Sequence, residues 1–242
     1  MTLPLLRAIF FDIDDTLYSS SEFAGRAREA SVDAMLARGL AADRARVLTE
    51  LARVVEEFGS NDSRHFQRLL DRLPSIATAS VNSSLLVSAG MMAYHETKWR
   101  ELRLRPEARD VLQALAATQV ALGVVTAGIT EKQMEKVLRL GIDRWVDPGL
   151  IFITDQVGIA KTNPRLYKLA ARKARVATGE AMHVGDHPTR DVESAARAGL
   201  VTVWHRGSGK YAALRPSKGP NHVIEGLEDL PEVLSTHYRL AP

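Results

Sequence analysis

The sequence contains no cysteine. That excludes a disulfide framework, a thiolate metal site and a cysteine nucleophile, and with them redox chemistry by the protein's own side chains. Charge of one sign is not in excess either: 32 Lys and Arg stand against 29 Asp and Glu, a formal net charge of +3, too small to imply a nucleic-acid partner without a concentrated patch. The mildly basic stretch Arg206, Lys210, Arg215, Lys218 is interleaved with Gly, Ser and Pro and reads as a solvated loop. No apolar run approaches the roughly 20 residues of a membrane span. The opening "MTLPLLRAIFF" is interrupted by Arg7 and is followed by acids, not by a small-residue cleavage site. A soluble, cytoplasmic protein with neither nucleic-acid nor membrane partner is expected. What remains, 45% hydrophobic and 25% charged over 242 residues, suits one globular core with a sizeable insertion.

Short apolar runs recur along the chain, at residues 5–11 ("LLRAIFF"), 120–126 ("VALGVVT"), 149–154 ("GLIFIT"), 181–186 ("AMHVGD") and 200–205 ("LVTVWH"). Each suits a strand buried on both faces of a parallel sheet. Between the later ones lie stretches of helical period with Pro near the start or Gly past the end: from Pro106, up to Gly141, around Pro164, and from Pro188 to Gly199. This alternation predicts an α/β fold with a doubly wound parallel sheet. Residues 18–104 break it, being helical in period with no strand-like run. The spacing therefore predicts an inserted all-helical domain over 18–104, and an α/β core domain over 1–17 and 105–242.

Three aspartates, Asp12, Asp14 and Asp15, crowd four positions directly after the first strand. In open parallel sheets, ligands bind outside the carboxyl ends of the strands. That rule gathers Asp12 and Asp14 with Thr126 at the end of the second strand, Lys161 after the third, and Asp186 and Asp191 from "GDHPTRD" after the fourth. Four carboxylates against one lysine leave a net charge of −3, and like charges about 4 Å apart repel by about 1 to 4 kcal/mol. An oxygen-only donor set of this kind suits a hard divalent cation, and Mg²⁺ is the natural choice.

"DIDDT", the strand-ending Thr126, Lys161 and "GDHPTRD", in that order, resemble the four motifs of the haloacid dehalogenase (HAD) superfamily. The match spans nearly the whole chain, and a helical insertion after the first motif is similar to the helical type 1 cap of one subgroup. "FFDIDDTLYSS", "YHETKW" and "VVTAG" are similar to a group of archaeal-type phosphatases of that superfamily known as glyceraldehyde 3-phosphate phosphatases. The resemblance implies a Rossmann-like core and an Mg²⁺-dependent phosphatase acting on a small phosphorylated metabolite. It implies that Asp12 attacks phosphorus to form an aspartyl phosphate, and that Asp14 protonates the leaving oxygen and later deprotonates the water. Such a role calls for an Asp14 pKa raised by burial and neighbouring charge. Thr126 would hydrogen-bond a phosphoryl oxygen and Lys161 would neutralise charge. Asp12, the Asp14 backbone carbonyl and Asp186 would ligate Mg²⁺, with Asp191 orienting that set. Dehalogenases of the superfamily lack an aspartate at the position of Asp14, so phosphoryl transfer to water is favoured over carbon–halogen cleavage.

Each residue also has a plainer reading. A β-branched residue ending a strand, such as Thr126, is ordinary strand chemistry, and Lys161 sits in "GIAKTNP", which departs from the Lys-Pro pair of the superfamily. Lys168 and Lys173 lie in a helical pattern and compete less well. Asp191 could serve as a first-turn helix residue, while Asp15 and Thr16 read as a helix cap or solvated turn. His183 and His187 receive no role. An EF-hand is excluded because Leu17 and Phe23 stand where Gly and Glu are needed. In the insertion, "GSNDSRH" breaks helical period, which makes Asn61 and His65 candidates for substrate contact. Two rivals remain: a phosphotransferase or mutase of the same superfamily, and a non-catalytic phosphate-sensing module like a response-regulator receiver. Chain order opposes the second, because receivers carry the accepting aspartate on a later strand. Substrate, pathway and the choice between monomer and homodimer are left open.

Overall fold

A computed structural model describes residues 3–207, 210, 211 and 213–242. The chain opens on strand β1 (Ala8–Phe11), every residue of which is buried. Helices α1 (Ser20–Ala37), α2 (Arg44–Phe58), α3 (His65–Arg72) and α4 (Ser83–Glu101) follow with no strand between them. The chain then continues as α5 (Pro106–Ala116), β2 (Ala121–Thr126), α6 (Thr130–Leu140), β3 (Ile151–Ile153), the single turn α7 (Thr154–Val157), α8 (Arg165–Lys173) and β4 (Ala181–Gly185). It ends with α9 (Ser194–Ala198), β5 (Val201–His205), β6 (His222–Ile224) and α10 (Leu230–His237). The chain divides into two compact units, Met1–Ser19 with Arg103–Pro242, and Ser20–Leu102.

The unit Ser20–Leu102 is all helical. Its interior gathers Val32 and Met35 from α1, Val47 and Leu51 from α2, Leu69 and Leu70 from α3, and Leu86 from α4. Local signals set the helix starts: the Asp43 side chain accepts from the Arg46 backbone N–H ahead of α2, and Asn82 accepts from Ser84 ahead of α4. Each such cap contributes about 1 kcal/mol.

The other unit is built on a six-stranded sheet in the order β3-β2-β1-β4-β5-β6, with every pairing parallel. Fully buried strands in such a sheet need apolar side chains on both faces, which is why their sequences read as continuous runs. One face packs Phe10, Val125 and Phe152 against Leu166, Tyr167 and Ala170 of α8 and Ala195 and Ala198 of α9. Burying side chains the size of Phe10 or Phe152 contributes about 2 to 3 kcal/mol apiece. The sixth strand, β6, is short and carries an exposed Val223, and no run as long as the others marks it in the sequence.

From β1 the chain winds outward through β2 to β3, then returns to place β4 on the other side of β1. This reversal makes the carboxyl ends of β1 and β4 the topological switch point, where open α/β sheets bind their ligands. Asp12 leaves β1 there, and Asp186 leaves β4. Among the described residues, no helix is long and apolar enough to cross a membrane.

Candidate active site

Asp12 follows Phe11 without a break in direction: its backbone N–H donates to the Val184 carbonyl at 2.9 Å, which continues the β1–β4 pairing by one step. Its carboxylate therefore emerges at the sheet rim, almost wholly buried, with 5% exposure. Asp186 does the same after β4, and the Trp204 indole N–H fixes its backbone carbonyl at 2.9 Å. Asp12, Asp186 and Asp191 each bring a carboxylate oxygen to within 4.8 Å of the others, and all three are buried.

Lys161 reaches this cluster from the segment after β3. Its ammonium lies 2.7 Å from Asp12 Oδ1 and makes a closer ion pair with Asp191 Oδ1. Asp191 is tied on every side: His183 Nε2 lies 3.1 Å from its Oδ1, and the His187 backbone N–H donates to its Oδ2 at 3.0 Å. The two histidines left without a role thus both act on Asp191, one through its ring and the other through its backbone. Where the Pro188 to Gly199 period predicts one plain helix, residues Pro188–Glu193 form a wide π-type turn, in which the His187 carbonyl accepts from both Asp191 and Val192. Such turns re-aim side chains at functional sites. Here the wide turn brings Asp191 back beneath β4.

Burial without full charge balance shifts these groups. Desolvation pushes the Asp12 carboxyl up to about 7, with Asp191 and Asp14 adding to the rise and Lys161 opposing it. Asp186 is pushed to about 8, by burial first and then by the charges of Asp12 and Asp191. For Asp191, burial is outweighed by Lys161 and His183, so its carboxyl stays below the usual range. The Lys161 ammonium is held protonated because Asp12 and Asp191 overcome the cost of its burial. One oxygen of the cluster, Asp186 Oδ2, is buried without a hydrogen-bond partner. An orphaned, desolvated carboxylate oxygen beside a second carboxylate is a donor set that fits a hard divalent cation. Asp12 and Asp186 have oxygens left for such an ion, whereas those of Asp191 are engaged by Lys161, His183 and His187.

Asp14, two residues beyond Asp12, departs from expectation. Its side chain is half-buried and stands outside the three-carboxylate cluster. Burial alone would raise its pKa, but the Lys136 ammonium and hydrogen bonds from Lys136, Tyr18 and Gln133 hold it below the usual carboxylate range. The predicted upward shift is therefore corrected. Lys136 is a second cation, so four carboxylates face two ammonium groups and the net charge is −2, not −3. Neither Lys136 nor Gln133 is singled out by the sequence, although both lie on the helix that follows Thr126, three residues apart and so on one face. Thr126 ends β2 buried, and the Gln133 side-chain amide donates to its Oγ1 at 2.9 Å.

Asp15 is not a solvated turn residue. It is 2% exposed, adopts a left-handed backbone at φ 56°, and pairs with Lys210 at 3.0 Å. Lys210 in turn does not belong to a purely solvated tail. Within the helical unit, Asn61 is exposed and His65 Nε2 lies 2.8 Å from the Gly59 carbonyl.

Residues 6–199 match the haloacid dehalogenase-like hydrolase family. The chain belongs to that family. It is thus a hydrolase on a HAD-type fold, a Rossmann-like parallel sheet with an inserted helical cap. It is 39% identical over 88% of its length to the glyceraldehyde 3-phosphate phosphatase of Methanopyrus kandleri, of which it covers 88%. Among solved structures it is similar to a 2-haloacid dehalogenase from Pseudomonas syringae, with 27% identity, TM-score 0.63, and 96% and 99% of the two chains covered. It also shares the fold of a HAD phosphatase from Thermococcus onnurineus, with 23% identity, TM-score 0.65, and 97% and 100% covered.

Proposed function

We propose that this HAD-family hydrolase is a Mg²⁺-dependent phosphatase that removes the phosphoryl group from a small metabolite through an aspartyl phosphate on Asp12. The observation that carries this reading is the convergence of the Asp12, Asp186 and Asp191 carboxylates within 4.8 Å, with Lys161 bonded to Asp12 and a second acid, Asp14, two residues on. Asp12 and Asp186 would hold the ion, and Asp191 would fix Lys161 and the turn behind it. Bound there, Mg²⁺ would offset the charge of the crowded carboxylates and of the phosphoryl oxygens.

In the first half-reaction an Asp12 carboxylate oxygen bonds to phosphorus, the ester P–O bond breaks, and the leaving oxygen takes a proton from Asp14, which must first gain that proton as bound substrate displaces part of the Lys136 contact that keeps it ionised here. In the second, water attacks phosphorus, Asp14 takes back a proton, and Asp12 is released with inorganic phosphate. Lys161 would spread the charge of Asp12 and the phosphoryl group, while Thr126 would donate to a phosphoryl oxygen. Asp14 also favours this class over carbon–halogen cleavage, where no such acid is required.

The name of the Methanopyrus relative makes a triose phosphate the first compound to try. Asn61 and His65 are proposed substrate contacts, and Asn61→Ala and His65→Ala should then raise KM with little change in kcat. A panel of phosphorylated metabolites, assayed for free phosphate with Mg²⁺ and with chelator, tests the reading. Release without any added acceptor separates hydrolysis from phosphotransfer, and no release from any ester would overturn the proposal.

A further inference from the structure

Asp14 is held by three side chains. The Tyr18 hydroxyl donates to Oδ1 at 2.5 Å. The Lys136 ammonium donates to Oδ1 at 2.6 Å and to Oδ2 at 2.8 Å, and the Gln133 amide donates to Oδ2 at 2.9 Å. A carboxylate offers about four acceptor sites, and these four bonds occupy them. The cradle is itself braced. The Gln133 nitrogen also lies 2.9 Å from Thr126 Oγ1 and 2.7 Å from the Ala127 carbonyl, tying Asp14 to the end of β2. Gln133 is 2% exposed and fills the space left by Gly128, where an added Cβ would come within 3.1 Å of it. The Lys136 ammonium lies 5.7 Å from the centre of the Tyr18 ring, within range of a cation–π contact.

A proton donor must stand within hydrogen-bond reach of the oxygen it serves. An aspartate at the start of a loop has several rotamers open to it, and only some of them satisfy that geometry. Lys136 supplies two of the four bonds, so the oxygen that gives one up can take a proton from solvent and pass it to the leaving oxygen, while the other bond keeps the carboxyl in place. We propose that Lys136, supported by Gln133 and Tyr18, is a positioning residue that fixes the rotamer from which Asp14 serves the leaving-group oxygen. The inference rests on the phosphatase reading and adds to it a residue that does not touch the phosphoryl group.

The test compares two aryl phosphates of similar shape. p-Nitrophenolate leaves readily without a proton, and phenolate needs one. Lys136→Met should lower kcat/KM for phenyl phosphate by about tenfold or more, the scale of general acid catalysis, while p-nitrophenyl phosphate loses much less. Lys136→Arg, which can also donate two parallel bonds, should recover most of the loss. Asp14→Asn should show the same substrate bias, and adding Lys136→Met to it should cost nothing further. Equal losses on both esters, additive losses in the double variant, or no bias in Asp14→Asn would overturn the inference while leaving phosphatase activity itself established. A crystal structure of Lys136→Met supplies a readout independent of turnover: Asp14 should leave its place beside Gln133, and an unmoved carboxylate would overturn the proposal even if neither ester is hydrolysed. Absence of phosphate release by the unmodified protein would count against the phosphatase reading instead.

Discussion

Lys161 holds Asp12 and Asp191 at once, with its ammonium 2.7 Å from Asp12 Oδ1 and closer still to Asp191 Oδ1. All three side chains are buried, so the pairings are not interchangeable with surface ion pairs such as Arg44 with Asp33. Removing the lysine would strand two carboxylates in a desolvated site. Lys161→Met should therefore destabilise the protein by about 3 to 5 kcal/mol, read as a fall in the midpoint of urea unfolding in the presence of chelator. An unchanged midpoint would show that the pair is not buried in solution as it is here.

The opposite sign is expected for the nucleophile. Asp12→Asn removes one charge from a cluster that burial already disfavours and leaves Lys161 its contact with Asp191. Hydrolysis of p-nitrophenyl phosphate should vanish, while the melting temperature stays near that of the unmodified protein or rises. Turnover retained in this variant would refute Asp12 as the nucleophile.

The pH dependence follows from Asp186 and Asp12, whose folded-state values rise from 3.8 to about 8 and about 7. Raised carboxylates bind more protons folded than unfolded, so their contribution is complete below 3.8 and is lost as pH rises toward 8. His183, His187 and His205, depressed by burial, act in the other direction: their contribution is present above 6.5 and lost as pH falls through their lowered values. In chelator, stability should therefore decline from about pH 6.5 to pH 8.5, and Asp186→Asn should flatten that decline. Added Mg²⁺, which competes with protons for the same oxygens, should raise the melting temperature more at the alkaline end. An equal rise at both ends would mean that the ion does not bind these carboxylates.

Gly185, the last residue of β4, has no room for a side chain. An added Cβ would stand 2.5 Å from Asp191 Cγ, and Asp191 cannot yield because Lys161, His183 and the His187 N–H all hold it. Gly185→Ala should cost about 1 to 3 kcal/mol, the usual scale of overpacking, and should weaken Mg²⁺ binding measured by calorimetry. A variant with unchanged stability and Mg²⁺ affinity would show that the turn carrying Asp191 is free to move.

Much of the site was legible because its residues sit at strand ends, and strand ends are marked in sequence by the point where an apolar run stops. Asp12, Thr126 and Asp186 each stand at such a point. Lys161 was reached by its place after the third run, against its own unfamiliar neighbours. Gln133 and Lys136 were not found, since on a helix of alternating charge nothing distinguishes a residue that faces the sheet rim from one that faces water. Lys210 reads as a solvated lysine for a related reason: its partner, Asp15, lies 195 positions away, and no local pattern reports so distant a pairing. The downward shift of Asp14 is equally invisible in the sequence, because its sign depends on Lys136.

By itself the sequence determined the layered α/β core, the helical insertion and the acids available for chemistry, because burial periodicity and strand punctuation are local properties of the chain. Only the tertiary structure decided which cation meets which carboxylate, how the wide turn at 188–193 aims Asp191, and that Asp14 rests in a cradle of three donors. Those outcomes depend on distances of a few ångströms between elements remote in sequence, and charge balance in a desolvated site is governed by such distances and not by composition.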